Sequence, residues 1–155
     1  MKKVICILIF TFIALISSAQ VKNMKGFLVY SELSVNDLNK VLEQTWEIKN
    51  VIRHFSDDST MLVERYTYAL EFEKGVQVLQ RIIIRNLLSD ETSMKTSLMF
   101  NDLSLMKEFK SSVTLEGFIK IDDLKYANNK NTISLHGGSS NSSMLAENQF
   151  FILIE

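Results

Sequence analysis

The sequence predicts an α+β domain in which one long amphipathic helix packs on a curved antiparallel sheet of about six or seven strands, after a cleaved signal peptide. Apolar residues recur at steps of three and four within residues 35–55, which is the period of a helix. They alternate from residue 60 onward, which is the period of strands. The strands follow the helix as a group, without βαβ alternation, and this favours antiparallel pairing within a single domain over residues 20–155.

Residues 1–19 have the pattern of a secretory signal peptide. Two lysines follow the first methionine, residues 4–16 form an almost unbroken apolar run, and small residues end the segment at Ala19. The run of about 13 residues is shorter than the roughly 20 that a membrane-spanning helix needs. We therefore expect cleavage near Ala19, a mature chain that begins near Gln20, a secreted or periplasmic location and no stable membrane span.

Loss of this leader changes the chemistry available to the mature chain. The only cysteine, Cys6, lies within it, so the mature chain has no disulfide, no thiol nucleophile and no thiolate metal site. Without the two leader lysines, 15 of the 17 basic residues stand against 18 acidic ones, a net charge of about −3. Because the chain also has no basic run longer than two residues, its charge argues against a nucleic-acid partner.

The first elements predicted are a short strand over residues 26–33 and the long helix over residues 35–55, with Ser34 as its N-cap. The apolar positions of this predicted helix fall on one stripe, formed by Leu38, Val41, Leu42, Thr45, Ile48, Ile52 and Phe55. Trp46 lies at the edge of the stripe, where it would pack against a sheet. His54 falls on the opposite, polar face.

Two long strands are predicted over residues 60–73 and 76–88, joined by a tight turn at Lys74 and Gly75. Such a turn would place Glu64 directly opposite Arg85. The remaining sequence predicts strands over 94–100, 113–121, 132–136 and 149–154, a short helix or loop over 101–110, and a serine-rich loop over 137–143. The last strand is apolar on both faces, so it must be central or paired.

Glu64 is the only acidic residue on the apolar face of its strand. Opposite Arg85, it forms either a structural cross-strand ion pair worth up to about 1 kcal/mol or a polar spot inside a ligand pocket. Loss of ligand binding without loss of folding in Glu64→Gln would favour the pocket. Tyr66, Tyr68 and Trp46 form either core or an apolar binding surface. The candidate ligand-binding residues are therefore Trp46, Glu64, Tyr66, Tyr68 and Arg85.

Catalytic and metal-binding motifs are weak in this sequence. The two histidines are His54 and His136, and no G-x-S-x-G motif accompanies the His-Gly-Gly that begins at His136. The paired acidic residues do not follow the spacing of a calcium loop. We predict no catalytic residue, no metal ligand and no cofactor.

The predicted function is that of a small exported, non-enzymatic domain that binds a partner protein or a small apolar ligand between sheet and helix. Two alternatives stay open. A small hydrolase would use carboxylates or His136, and would need the histidine and an acid in one cleft. A cell-envelope assembly or interaction protein would expose an apolar patch of several hundred Å².

Overall fold

The elements of the fold come from a computed structural model, which describes residues 20–72, 75–137 and 149–155. Within those ranges the helices are α1 (Met24–Glu32), α2 (Val35–Leu42) and α3 (Leu103–Val113). The strands are β1 (Glu47–Phe55), β2 (Met61–Phe72), β3 (Gly75–Asn86), β4 (Thr92–Phe100), β5 (Ile119–Lys120), β6 (Lys125–Ala127), β7 (Thr132–Gly137) and β8 (Phe150–Ile154). The predicted signal peptide and nearly all of the predicted serine-rich loop lie outside the described residues.

The eight strands form one antiparallel sheet in the order β1-β2-β3-β4-β8-β7-β6-β5. This confirms the antiparallel pairing and gives eight strands rather than six or seven. Strands β1 to β4 form one meander and β5 to β8 form a second, and the two join where β4 pairs with β8. β8 also pairs with β7, so the last strand is central, which agrees with the prediction that it must be central or paired. Among the described residues, no helix is both long and apolar enough to cross a bilayer.

One face of the sheet carries the core. A row of buried side chains crosses five strands in register, formed by Tyr68, Leu79, Leu98, Ile152 and Leu135. Above this face, Phe27 of α1 meets Phe109 of α3 with ring centres 6.4 Å apart, and Phe109 stacks on Phe100 of β4 at 5.5 Å. Aromatic pairs at such separations add about 0.5–1.5 kcal/mol to the burial of their surfaces. These contacts fix α1 and α3 over the centre of the sheet.

The predicted long helix over residues 35–55 is wrong, because the structure divides this segment into the short helix α2 and the edge strand β1. The early apolar positions Leu38 and Leu42 are buried in the core. The later ones stay exposed: Ile48 at 46%, Ile52 at 40% and Phe55 at 58%. β-Branched side chains favour a strand there, and pairing with β2 gives the backbone its hydrogen bonds. Within the described ranges, therefore, no long helix packs on the sheet.

The strand predicted over residues 26–33 is also wrong, since most of that segment belongs to helix α1. Asn23 caps the helix, and its Oδ1 accepts a hydrogen bond from the N–H of Gly26 at 2.9 Å. Met24, Phe27 and Tyr30 are buried at the three-residue spacing of one helix face. The cap and the first buried residue of the helix both precede residues 26–33, so that segment alone does not contain the signal for the start of the helix.

The segment after β4 shows a third difference. Helix α3 begins after Asp102, whose Oδ1 accepts hydrogen bonds from the backbone N–H groups of Ser104 and Leu105. It continues to Val113, so the strand predicted over residues 113–121 is reduced to the two residues of β5. The alternating residues there have no covered face to turn toward, and Ile119 is 75% exposed. The strands predicted over 94–100, 132–136 and 149–154 are confirmed as β4, β7 and β8.

Candidate functional site

A pocket of about 420 Å³ opens between the start of α2 and the core-bearing face of strands β1 to β4. Ser34, Val35 and Asn36 border it on the helix side. The strands contribute three apolar or aromatic side chains, three charged ones and one threonine, namely Tyr66, Ile83, Met94, Arg53, Glu64, Arg85 and Thr92. The pocket therefore combines an apolar wall with a compact group of charges.

Glu64 is at the centre of these charges and is only 2% exposed. Its Oε1 accepts a hydrogen bond from Nε of Arg53 at 2.8 Å, and Nη2 of Arg53 donates to the same oxygen. Its Oε2 lies 3.3 Å from Nη2 of Arg85. The hydroxyl of Tyr66 donates to Oε1 at 3.4 Å. One buried carboxylate thus holds two guanidinium groups that come from neighbouring strands on either side of β2.

The two arginines lie at the surface of this cluster. Their side chains are 64% exposed for Arg53 and 53% exposed for Arg85, against 3% for Glu64. The hydrogen bond to Glu64, followed by the Coulomb attraction to it, raises the pKa of Arg53 above its ordinary value. The cluster contains two guanidinium groups and one carboxylate, so its formal net charge is +1.

Arg85 reaches Glu64 along a diagonal of the sheet, because the β2–β3 register differs from the predicted one. Phe72 pairs with Gly75, and Glu64 therefore faces Ile83 rather than Arg85. A shift of two residues keeps every side chain on its predicted face. Diagonal neighbours on one face are within reach of long side chains, which explains the ion pair. The predicted pairing is therefore wrong in register, while the predicted contact is present.

Arg81 lies directly across from Tyr66 on β3 and is 0% exposed. Its Nη1 donates to the carbonyl of Leu33 at 2.6 Å, and its Nη2 donates to the carbonyl of Tyr30. These carbonyls belong to the C-terminal end of α1, where helical oxygens lack partners and the helix dipole is negative. Burial lowers the pKa of Arg81 below its ordinary value. Arg81 anchors the end of α1, and with it the α1–α2 junction beside the pocket.

Three of the five predicted ligand-binding residues, Glu64, Tyr66 and Arg85, line the pocket. Trp46 and Tyr68 are buried in the core instead, at 3% and 0% exposed. The hydroxyl of Tyr68 donates to Oδ1 of Asn39 at 2.6 Å. Burial raises the pKa of Tyr68 to about 12.

Arg53 is the site residue that the sequence prediction omits, and the reason is the incorrect helix. In a strand, residues 51, 53 and 55 share one face, and the observed register places Arg53 directly opposite Glu64. The signal for this pair is the opposite charge of the two residues on neighbouring strands. It becomes visible only once β1 is recognised as a strand.

Other chemistry in the described residues is limited. No group of three or more His, Cys, Asp or Glu side chains that could hold a metal ion occurs in the part of the chain that the structure describes. His54 lies on the exposed strand β1 rather than on a helix. His136 lies in β7, with its ring 6.2 Å from that of Phe151. Neither histidine lines the pocket.

Comparison with known proteins adds no functional information to this geometry. The chain matches no protein-family model, no curated protein and no solved structure. The function of the chain is therefore inferred from its own pocket, burial and charges.

Proposed function

We propose that this chain is an exported, non-enzymatic domain that binds a small, partly apolar ligand in the pocket between α2 and strands β1 to β4. The main support for the proposal is the pocket itself. Its volume of about 420 Å³ falls within the roughly 300–1,000 Å³ of ligand-binding pockets. The pattern of residues 1–19 supports export, because it has the basic, apolar and small-residue segments of a signal peptide.

The lining also supports a small ligand. Tyr66, Ile83 and Met94 offer an apolar surface, on which Met94 is 42% exposed while its sulfur accepts a hydrogen bond from Nη1 of Arg81 at 3.0 Å. A few polar groups stand at one side of this surface. That combination of apolar contact with a small number of orienting polar groups is typical of ligand sites.

The proposal is tested by blocking the pocket with a larger side chain. Thr92 is exposed on the pocket wall, and its neighbour Ser93 is exposed on the opposite face of the same strand. Binding of the uncharged fluorescent probe N-phenyl-1-naphthylamine is measured by titration in the wild type, in Thr92→Trp and in the matched control Ser93→Trp. We expect saturable binding that Thr92→Trp weakens at least about tenfold and Ser93→Trp leaves unchanged.

Two results would overturn the proposal. One is the absence of saturable binding by the wild-type chain. The other is equal binding in the two tryptophan variants, since the probe would then bind somewhere other than the pocket. Circular dichroism spectra and melting temperatures of both variants establish that each is folded.

The export part of the proposal has its own test. The complete chain is expressed in a bacterium with a Sec system, and the mature protein is recovered from the periplasm or medium for mass determination. We expect the mass of a chain that begins at Gln20. Recovery of uncleaved chain in the cytoplasm would refute export. The two alternatives, a small hydrolase and a cell-envelope assembly protein, stay predictions.

A further inference from the structure

We propose that the pocket selects ligands that carry one anionic head group beside an apolar body, and that Arg53 and Arg85 bind the head group. This inference rests on the proposed ligand-binding function and specifies the chemical class of the ligand. The expected ligand is then an apolar molecule that carries a carboxylate, a sulfonate or a comparable anion, instead of a purely apolar molecule.

The positions of the charges support an anionic head group. Glu64 contacts both arginines, but a single carboxylate neutralises only one of the two cations. Glu64 is buried beneath them at 3% side-chain exposure, whereas the side chains of Arg53 and Arg85 are 64% and 53% exposed. A ligand that enters the pocket therefore meets guanidinium groups before it meets the carboxylate.

The hydrogen-bond donors support the same conclusion. A guanidinium has five N–H donors in a planar fork, which matches the oxygens of a carboxylate or similar anion. The bonds from Arg53 to Glu64 use Nε and Nη2, and the contact from Arg85 uses Nη2. Each arginine has more donors than Glu64 accepts. Because Glu64 already orients both groups, a ligand does not have to order two free side chains, and preorganisation of this kind favours binding.

The carboxylate of Asp37 on α2 does not cancel this excess. Asp37 lies in the first turn of α2, just after the residues that border the pocket. Its carboxylate accepts a hydrogen bond from Oγ of Ser34 at 2.7 Å and lies 3.6 Å from Nζ of Lys40. Asp37 is thus paired with its own cation on the exposed side of α2. Glu64 is the only carboxylate among the described residues that line the pocket.

The apolar body of the ligand has its own contact surface. Ile83 directly faces Glu64 across the β2–β3 pair, and Met94 directly faces Ile83 across the β3–β4 pair. Val35 borders the same pocket from α2. A ligand with its anion between the two arginines would therefore place its apolar part over Ile83 and Met94. An ion without an apolar part would leave that surface unused.

The experiment compares two dyes with the same aromatic skeleton. Anilinonaphthalene sulfonate carries one anion, and N-phenyl-1-naphthylamine has none. Both are titrated by fluorescence into the wild type, Arg53→Gln, Arg85→Gln and the double variant. The matched control is Arg65→Gln, which removes an exposed arginine from the other face of β2.

We expect the wild type to bind the sulfonate about tenfold or more tightly than the uncharged dye, because charged hydrogen bonds strengthen binding. Each pocket variant should weaken the sulfonate about fivefold or more and change the uncharged dye less than twofold. The double variant should abolish the preference, and Arg65→Gln should retain it. Melting temperatures show that the variants are folded, and Arg53→Lys and Arg85→Lys should recover part of the preference if a glutamine variant unfolds.

The outcomes separate this inference from the proposed function. Equal affinity for the two dyes, with both lost in Thr92→Trp, overturns the selection of anions and leaves ligand binding in the pocket intact. A similar loss of sulfonate binding in Arg65→Gln also overturns it, because net charge rather than the pocket would then attract the dye. If Thr92→Trp changes neither dye, the proposed function fails, and the inference fails with it.

Discussion

Replacement of Arg81 by methionine tests how the fold holds the α1–α2 junction beside the pocket. Methionine fills much of the same space without charge or hydrogen-bond donors. It leaves the carbonyl of Tyr30, which is buried, and the carbonyl of Leu33, which is partly buried, without their present partner. We expect Arg81→Met to destabilise the chain and to loosen the last turn of α1.

The size of the effect follows from opposing contributions. Loss of the charged donor costs about 1–3 kcal/mol at the buried oxygen, and less at the partly buried one because water can reach it. The substitution also removes a fully buried cation that has no carboxylate partner among the described residues, together with its unpaired buried Nε. Because burial of an unpaired charge is unfavourable, its removal offsets part of the stability lost with the two hydrogen bonds. We expect a net decrease of about 1–3 kcal/mol in the free energy of unfolding.

The assay is equilibrium unfolding in urea, followed by the fluorescence of the single tryptophan, Trp46, which is 3% exposed in the folded chain. Hydrogen exchange around residues 30–35 reports the loosening of the junction. Arg65→Met is the matched control, because it makes the same substitution at an exposed position on the outer face of β2. Equal or greater stability of Arg81→Met, with unchanged exchange at the junction, would refute the anchoring role.

Three further changes have defined outcomes. Glu64→Gln should lower the free energy of unfolding by about 1 kcal/mol, and by less at high salt, because it weakens contacts to two exposed arginines. An unchanged free energy of unfolding in a urea titration would contradict this. Asp58→Ala should lower the melting temperature at pH 7. The difference in melting temperature between wild type and variant should vanish as pH falls from about 4 to about 2. The reason is that hydrogen bonds, first from Ser56 and then from Thr60, lower the pKa of Asp58 to about 2. Tyr68→Phe should cost about 1 kcal/mol at pH 7 through the lost bond to Asn39. The difference in stability between wild type and Tyr68→Phe should narrow in thermal melts between pH 10 and about 12. Burial raises the pKa of Tyr68 to about 12, and wild-type stability falls as the phenol ionises. A difference that stays constant over this pH range would contradict the buried phenol.

Two kinds of sequence pattern identify strands correctly in this chain. Along β2 large apolar residues recur at every second position with Glu64 as the exception, and this period of two indicates a strand rather than a helix without knowledge of the partner. β8 is apolar on both faces, so the sequence predicts a central or paired strand, and in the sheet it is central. In each case the local pattern and the tertiary environment agree.

The boundary between α2 and β1 was not predictable in the same way. Leu38, Leu42, Ile48, Ile52 and Phe55 fit one helical stripe, yet only the first two are in the core. The others lie on an edge strand that the helices do not cover, so their spacing carries no information about burial. Pairing with β2 decides the conformation of residues 47–55, and that pairing is a contact between segments rather than a local propensity. Because the prediction placed residues 47–55 in a helix, it also omitted Arg53 from the site.

The rows of the sheet explain why the charged pocket lies where it does. The row of Tyr68 and Leu79 lies in the core, whereas the adjacent row contains Tyr66 and Arg81, and the row after that contains Glu64. Arg81 marks the boundary, because its guanidinium is buried by bonding to the end of α1 instead of by pairing with an acid. Beyond that point the sheet face is open enough for arginine side chains to reach water. The end of α1 that Arg81 holds is followed directly by Ser34, which borders the pocket in which Arg53 and Arg85 are available to a ligand.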